Sequence, residues 1–110
     1  MAQAHIKSGE VVNVGPLGNQ LAASTTTALL KAEQLEVIRL VLHAGKTLRE
    51  HRAPGEITVL CIEGSVEFST PASTTVLNKD DFLHLDAQVP HALKAVTDSS
   101  LLVTICLPAK

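Results

Sequence analysis

The 110 residues of this chain have room for one hydrophobic core, and their net charge of −2 gives no attraction for polyanions. The nine Lys and Arg residues form no basic run, which argues against a surface for nucleic acid or anionic lipid. No segment approaches the ~18 uninterrupted apolar residues of a membrane span, and residues 1–10 lack the apolar stretch of a secretory signal. We therefore expect one cytoplasmic domain over residues 1–110, with residues 1–10 as a loose N-terminal segment.

Short apolar runs rich in Val, Ile, Leu and Thr, separated by turn-forming residues, predict β-strands throughout the chain. In the N-terminal half, residues 25–32 and 35–43 form a predicted hairpin, and residues 46–51 form a short strand. That strand ends before Pro54 and Gly55, which favour a sharp turn. No long stretch keeps a helical period, so we expect an all-β protein.

Residues 56–63 and 65–69 are predicted to be two strands joined by a tight turn at Gly64. The second strand alternates apolar and polar residues, as expected of a strand with one face in solvent. The first strand is apolar on both faces. Leu60 and Ile62 lie on one face, and Ile57, Val59 and Cys61 lie on the other. A short strand covered on both sides predicts two packed sheets or a closed barrel.

Four more strands follow, over residues 74–77, 82–85, 91–96 and 101–107. The regular spacing of the turns between them is typical of a β-sandwich or a jelly-roll barrel of about ten strands.

Two stretches of this β pattern carry a distinctive spacing of Gly, His and acidic positions. In the first, Gly45, His51 and Gly64 are spaced like the Gly, the first His and the final Gly of a known metal-binding motif. Ala53 stands where that motif has a second His, and Ile57 stands where it has a Glu.

The second stretch begins with a turn at Asp80 and Asp81, continues with the strand 82–85 and a bend over residues 86–90, and ends at His91. Together the two stretches resemble the paired motifs of the cupin superfamily, over residues 29–107. The resemblance implies a cupin-type double-stranded β-helix, an RmlC-like jelly-roll barrel that is open at one end. Of the family's four metal ligands, this chain retains two, His51 and His91.

These two histidines define the predicted site. The resemblance implies that they meet at the mouth of the barrel, beside a pocket that binds a small molecule. A mostly apolar pocket with a few polar groups is the usual composition of such a site. The expected lining consists of His51, Ala53, Ile57, Val59, Cys61, Phe82, His91 and Leu93.

A metal ion at this site needs more than two protein ligands, since zinc in proteins commonly has three or four. The candidates for a third ligand are His84 and Glu56, and Glu56 requires a bulge to turn it inward. We expect a site without a cofactor. A divalent transition metal at low occupancy on His51 and His91 is the alternative.

Three functions stay open on these residues. The first is a small-molecule-binding cupin of unassigned activity, and the second is a degenerate metal-dependent enzyme of the oxygenase or isomerase type. The third is a non-catalytic module for sensing or assembly. Arg49 would hold an anionic ligand if it shares the inward side of His51. Open sheet edges and a hydrophobic fraction of 45% also predict a homodimer, for which the resemblance implies strand pairing near residues 25–30.

Overall fold

A computed structural model describes residues 5–108 of the chain. These residues form nine strands and a short 3₁₀ helix, Gly18–Ala23. The strands are β1 (Thr27–Lys31), β2 (Leu35–Leu42), β3 (Thr47–His51), β4 (Ile57–Glu63), β5 (Ser65–Ser69), β6 (Thr74–Asn78), β7 (Phe82–Leu85), β8 (His91–Ala95) and β9 (Ser99–Cys106).

The strands are arranged in two antiparallel sheets, one with the order β1-β2-β9-β4-β7 and the other with the order β3-β8-β5-β6. The predicted hairpin of the N-terminal half is present as β1 and β2, which pair with Thr27 opposite Arg39. The prediction of an all-β sandwich or jelly roll is confirmed. Nine strands form instead of about ten, because residues 5–26 contribute the 3₁₀ helix and no strand.

The core lies between the inner faces of the two sheets, where apolar side chains alternate with outward-facing residues. Val59 and Leu101 of the five-stranded sheet and Val66 and Phe68 of the four-stranded sheet are each at most 2% exposed, and they belong to one apolar cluster. Full burial of a side chain of this size stabilises the fold by about 1.5–3 kcal/mol, because apolar surface leaves water.

Gly64 joins β4 to β5 in the predicted tight turn, with a φ of +86° that glycine adopts without strain. A Cβ atom here would lie 2.3 Å from the carbonyl oxygen of Asp98, so a larger residue requires backbone movement. The turn is not a hairpin, because β4 pairs with β7 and β9 whereas β5 pairs with β6 and β8. It carries the chain from one sheet to the other.

The end of β4 is covered on its second side by the segment that precedes β1. The backbone amides of Leu17 and Gly18 donate hydrogen bonds of 2.9 and 3.1 Å to the Glu63 carboxylate. Burial alone would raise the pKa of Glu63, but the Ser100 hydroxyl and these two amides hold it below its usual value. Glu63 is therefore an ionised anchor for the N-terminal segment, and the adjacent Ile62 is 6% exposed.

Strand β1 is an outer strand of its sheet, and the Ile6 amide donates a 2.9 Å hydrogen bond to the Leu29 carbonyl on that strand. Part of the N-terminal segment predicted to be loose is thus bonded to the sheet, while residues 1–4 lie outside the described residues. The homodimer through residues 25–30 stays a prediction. Within residues 5–108, no helix has the length and apolar character needed to cross a membrane.

Candidate functional site

His51 ends β3 and His91 begins β8, and the ladder between these strands sets them directly opposite each other. Their ring centroids lie 4.2 Å apart, and the ring planes are tilted by 60°. A register shift between Leu48 and His51 precedes the pair. Because of this irregularity, Leu48 and His51 both face the interior, which a regular strand would not allow for residues three apart.

Both imidazole rings are oriented by backbone carbonyl groups. Nδ1 of His51 lies 3.0 Å from the carbonyl oxygen of Arg49, and Nδ1 of His91 lies 3.0 Å from that of Val89. A carbonyl oxygen only accepts hydrogen bonds, so each Nδ1 carries the proton and donates it. In the neutral rings, both Nε2 atoms therefore keep a lone pair that can accept a hydrogen bond or a proton, or bind a metal ion.

Two rings contact the buried His91. Phe68 stacks on it with a centroid distance of 5.5 Å and an interplanar angle of 7°, in addition to the tilted contact with His51. Burial lowers the pKa of His91, the hydrogen bond to Val89 opposes this shift, and the nearby His51 adds to it. His91 is thus a neutral base at neutral pH, while His51 is exposed.

An apolar cavity of about 100 Å³ adjoins the histidine pair between the two sheets. Besides the two histidines, its wall consists of Ile38, Leu40, Leu48, Ile57, Val59, Phe68, Leu93, Val103 and Ile105. An adjoining space of about 190 Å³ forms the mouth and shares five residues with the cavity, namely His51, Ile57, His91, Val103 and Ile105. The mouth adds Glu36, Arg52, Ala53, Pro54 and Leu107. An apolar interior therefore leads to a largely apolar opening that also carries the charged side chains of Glu36 and Arg52.

Comparison with known proteins identifies the family. A family model described as the cupin domain matches residues 38–107. The chain belongs to the cupin family. No curated protein matches the sequence.

Solved structures agree with this assignment. A conserved protein of unknown function from Streptococcus pyogenes has a TM-score of 0.76 and 19% identity, and the match covers 100% of this chain and 97% of the other. A cupin superfamily protein from Desulfitobacterium hafniense has a TM-score of 0.79 and 17% identity, over 96% and 100% of the two chains. An RmlC-like cupin protein from Desulfovibrio desulfuricans has a TM-score of 0.69 and 24% identity, over 93% and 97%. Identities this low establish the fold of the cupin and not its ligand.

Most of the predicted lining surrounds the cavity of this cupin. The residues on the cavity wall are His51, Ile57, Val59, His91 and Leu93, and Ala53 lies at the mouth. Cys61 does not border the cavity. It lies farther along β4, is fully buried among core side chains, and has a thiol whose pKa is raised by that burial.

The prediction that Phe82 lines the cavity was wrong. Its side chain is 65% exposed on the outer face of β7. Leu83 and Leu85 face inward instead and pack against the core, because side chains alternate along the strand. Phe82, Leu83 and Leu85 are all apolar, so the sequence pattern of this strand is compatible with either face.

The two predicted third ligands also lie outside the barrel. Nε2 of His84 and Oε1 of Glu56 are 2.7 Å apart, and the two side chains are 50% and 60% exposed. His84 stands opposite Thr58 in the β4–β7 ladder, whereas the adjacent Leu85 stands opposite Ile57, which lines the cavity. Because side chains alternate along a strand, His84 points away from the cavity. Both proposals for a third ligand to His51 and His91 are corrected: the candidates bind each other.

The interior residues do not fit a four-ligand cupin metal centre. Among residues 5–108, no third His, Cys, Asp or Glu joins His51 and His91 at metal-binding spacing. Ala53 and Ile57 border the same space as the histidines, but neither hydrocarbon side chain can ligate. Two neutral imidazoles would also leave the charge of a divalent ion unbalanced beside an apolar wall, where an isolated charge is costly.

The condition set for Arg49, that it shares the inward side of His51, is not met. The Arg49 side chain does not border the cavity, and its carbonyl instead orients His51. Arg52 lies at the mouth, where Nη1 donates a 3.2 Å hydrogen bond to the Gln88 carbonyl. The register shift in β3 explains the difference, since it breaks the alternation that would have placed Arg49 on the side of His51.

Six further wall residues were missed from the sequence: Ile38, Leu40, Leu48, Phe68, Val103 and Ile105. Alternation along β9 was the signal available for Val103 and Ile105, and alternation along β5 for Phe68. That signal identifies an inner face but does not reveal which inner residues border a cavity.

Proposed function

We propose that this cupin binds a small, largely apolar molecule in its barrel cavity and holds the polar group of that molecule on His51 and His91, without a resident metal ion. The supporting observation is an apolar cavity bordered by two imidazoles whose Nδ1 atoms are committed to backbone carbonyls. Their Nε2 atoms then supply the polar contacts of an otherwise apolar wall. A few fixed polar groups in an apolar concavity are the usual basis of small-molecule recognition.

The cavity limits the size and the chemistry of the molecule. A water molecule needs about 10–15 Å³ of comparable volume, so a cavity of about 100 Å³ accommodates on the order of seven to ten non-hydrogen atoms. A neutral Nε2 atom accepts a hydrogen bond, so the matching polar group is a donor. A small alcohol or phenol has both the required size and a hydroxyl group that donates a hydrogen bond.

Phenol and toluene test this recognition directly, because they match in size and differ in a hydroxyl group. Each is titrated into chelator-treated, tag-free protein while backbone amide chemical shifts are followed by NMR. We expect saturable binding of phenol, centred on His91 and Val103, and binding of toluene that is about three- to tenfold weaker, since it makes no hydrogen bond to Nε2.

Two variants of neighbouring residues control for the place of binding. Val103→Phe fills the cavity and should abolish binding, whereas Leu102→Phe, on the other face of β9, should leave it unchanged. If wild-type protein shows no saturable binding, or a folded Val103→Phe variant still binds phenol, the cavity is not the binding site. Equal affinity for phenol and toluene would show that the histidines do not contribute to recognition of the ligand.

A further inference from the structure

Three metal-ligating side chains converge on the outer face of the five-stranded sheet. Glu56, His84 and Asp86 are all exposed, and each places one donor atom within 4.8 Å of the others. We propose that these residues, here called the outer triad, bind a divalent transition metal ion such as zinc. This site lies outside the barrel and uses neither His51 nor His91.

Strand register brings the outer triad together. His84 and Asp86 are two residues apart, so an extended chain presents them on the same face. Ile57 pairs with Leu85 across the β4–β7 ladder, and continuation of this register sets Glu56 across from Asp86. Two ligands from one chain segment and a third from its neighbour can then enclose one ion.

The charges of the outer triad suit a divalent cation. Like charges that face each other across a ladder destabilise a sheet, and Glu56 and Asp86 are such a pair. Among residues 5–108, Asp86 forms no salt bridge with a Lys or Arg. A divalent ion balances both carboxylates and takes the His84 imidazole as a nitrogen ligand, a mixed donor set that zinc accepts.

Small side-chain movements are enough to form the site. Ligands of one tetrahedral zinc ion lie about 3.3–3.6 Å apart, given bonds of about 2.0–2.2 Å to nitrogen and oxygen. The 4.8 Å spread of the outer triad closes by rotation of side chains that are 50% exposed at His84 and 60% exposed at Glu56. The ion replaces the hydrogen between Nε2 of His84 and Oε1 of Glu56, and water takes the fourth position because solvent reaches the group.

Metal binding at the outer triad has a structural consequence for β7. Among the strands of residues 5–108, this strand is the outermost of its sheet and pairs with β4 alone. An ion that joins Glu56, just before β4, to His84 and Asp86 cross-links the two strands. Because the unfolded chain does not hold these ligands together, zinc should raise the melting temperature.

Titration calorimetry with zinc on tag-free, chelator-stripped protein tests the site. We expect one saturable site of micromolar affinity, together with a zinc-dependent rise in melting temperature. His84→Ala and Asp86→Asn should each weaken the affinity at least about tenfold, because each removes a ligand. His51→Ala is the matched control: it removes an imidazole from the barrel interior and should leave zinc affinity unchanged. Phe82→Ala, a change on the same face of β7, should also leave it unchanged.

Two results would overturn the outer triad as a metal site. One is the absence of saturable zinc binding by the wild-type protein up to millimolar zinc. The other is an affinity that survives both His84→Ala and Asp86→Asn. Asp86→Asn keeps the size of the side chain. Melting curves of the metal-free variants should coincide with that of the wild-type protein, which would show that a ligand was lost and not the fold.

Discussion

The inner and outer faces of β4 and β7 present opposite kinds of chemistry. Inside, the start of β4 borders an apolar cavity where His51 and His91 meet without a third ligating side chain among the described residues. Outside, the outer triad sets two carboxylates beside one imidazole in solvent. The residues of the two faces are neighbours in the chain, since Glu56 precedes Ile57 and His84 precedes Leu85. A register change of one residue would move the inner side chains to the outer face and the outer side chains to the inner face.

This contrast explains why the two faces should select different ligands. A pair of imidazoles next to hydrocarbon suits an uncharged molecule with a hydrogen-bond donor, because no carboxylate of residues 5–108 joins them at ligand spacing to balance a divalent ion. Two carboxylates and an imidazole in water suit the ion and offer no apolar enclosure. Alternation along a strand therefore separates the proposed metal site from the proposed cavity site.

Restoring the missing interior ligands should produce the largest change. Ala53→His with Ile57→Glu, made in the His84→Ala background, creates a three-histidine, one-carboxylate set at positions that border one space. Zinc affinity, measured by calorimetry, should rise at least about 100-fold over His84→Ala alone, because two ligands and a balancing charge are added. The metal-free variant should be less stable, since Ile57 is 3% exposed and a carboxylate there loses solvation.

The control for this variant keeps the shape and removes the charge. Ala53→His with Ile57→Gln, in the same background, should gain less zinc affinity than the Glu variant. A folded Glu variant with no gain over His84→Ala would show that positions 53 and 57 do not converge with the histidine pair.

Side-chain truncation should affect the two faces differently. Val59 on the inner wall is 1% exposed, whereas Phe82 on the outer face is 65% exposed. Val59→Ala should lower the free energy of unfolding by about 2 kcal/mol, through lost apolar burial and an enlarged cavity. Phe82→Ala should change it by less than about 0.5 kcal/mol. Urea denaturation measures both, and equal losses would contradict the outward orientation of Phe82.

The smallest effect concerns pH. Burial holds the pKa of folded His91 below its ordinary value of about 6.5. As pH falls below about 6.5, the unfolded chain takes up a proton that folded His91 does not, so the free energy of unfolding decreases. Above that pH, the imidazole is neutral in both states, so the lowered pKa of His91 does not reduce the free energy of unfolding. Urea denaturation at about pH 7.5 and about pH 5.5 should show the loss on acidification.

His91→Asn provides the comparison for this measurement, because its amide can still donate a hydrogen bond to the Val89 carbonyl. The variant should lose less stability on acidification than the wild-type protein does. An unchanged loss in the variant would mean that His91 is not the residue responsible.

Local patterns in the sequence were sufficient for the strands and for the two histidines. The strand over residues 65–69 is predicted from alternation, and the turn at Gly64 from a glycine between two apolar runs. Both predictions use neighbouring residues alone. The motif spacing likewise located His51 and His91, since each lies at a strand end defined by an adjacent turn or bend. The resemblance to the cupin motifs set Ala53 and Ile57 at the positions where that motif has ligands, and both border the space that the histidines share.

The orientation of β7 and the irregularity of β3 depended on tertiary structure. Phe82, Leu83 and Leu85 make both faces of β7 apolar, and pairing with β4 decided that Phe82 faces solvent. The register shift before His51 turned Arg49 away from the cavity. No Gly, Pro or other turn residue between Leu48 and His51 predicts this shift from the sequence. Sequence alone thus determined the all-β fold class and the strand periodicity, because these follow from short-range residue patterns. Only the packing of the sheets decided which face each side chain occupies, because the burial that orients a strand comes from partners distant in the chain.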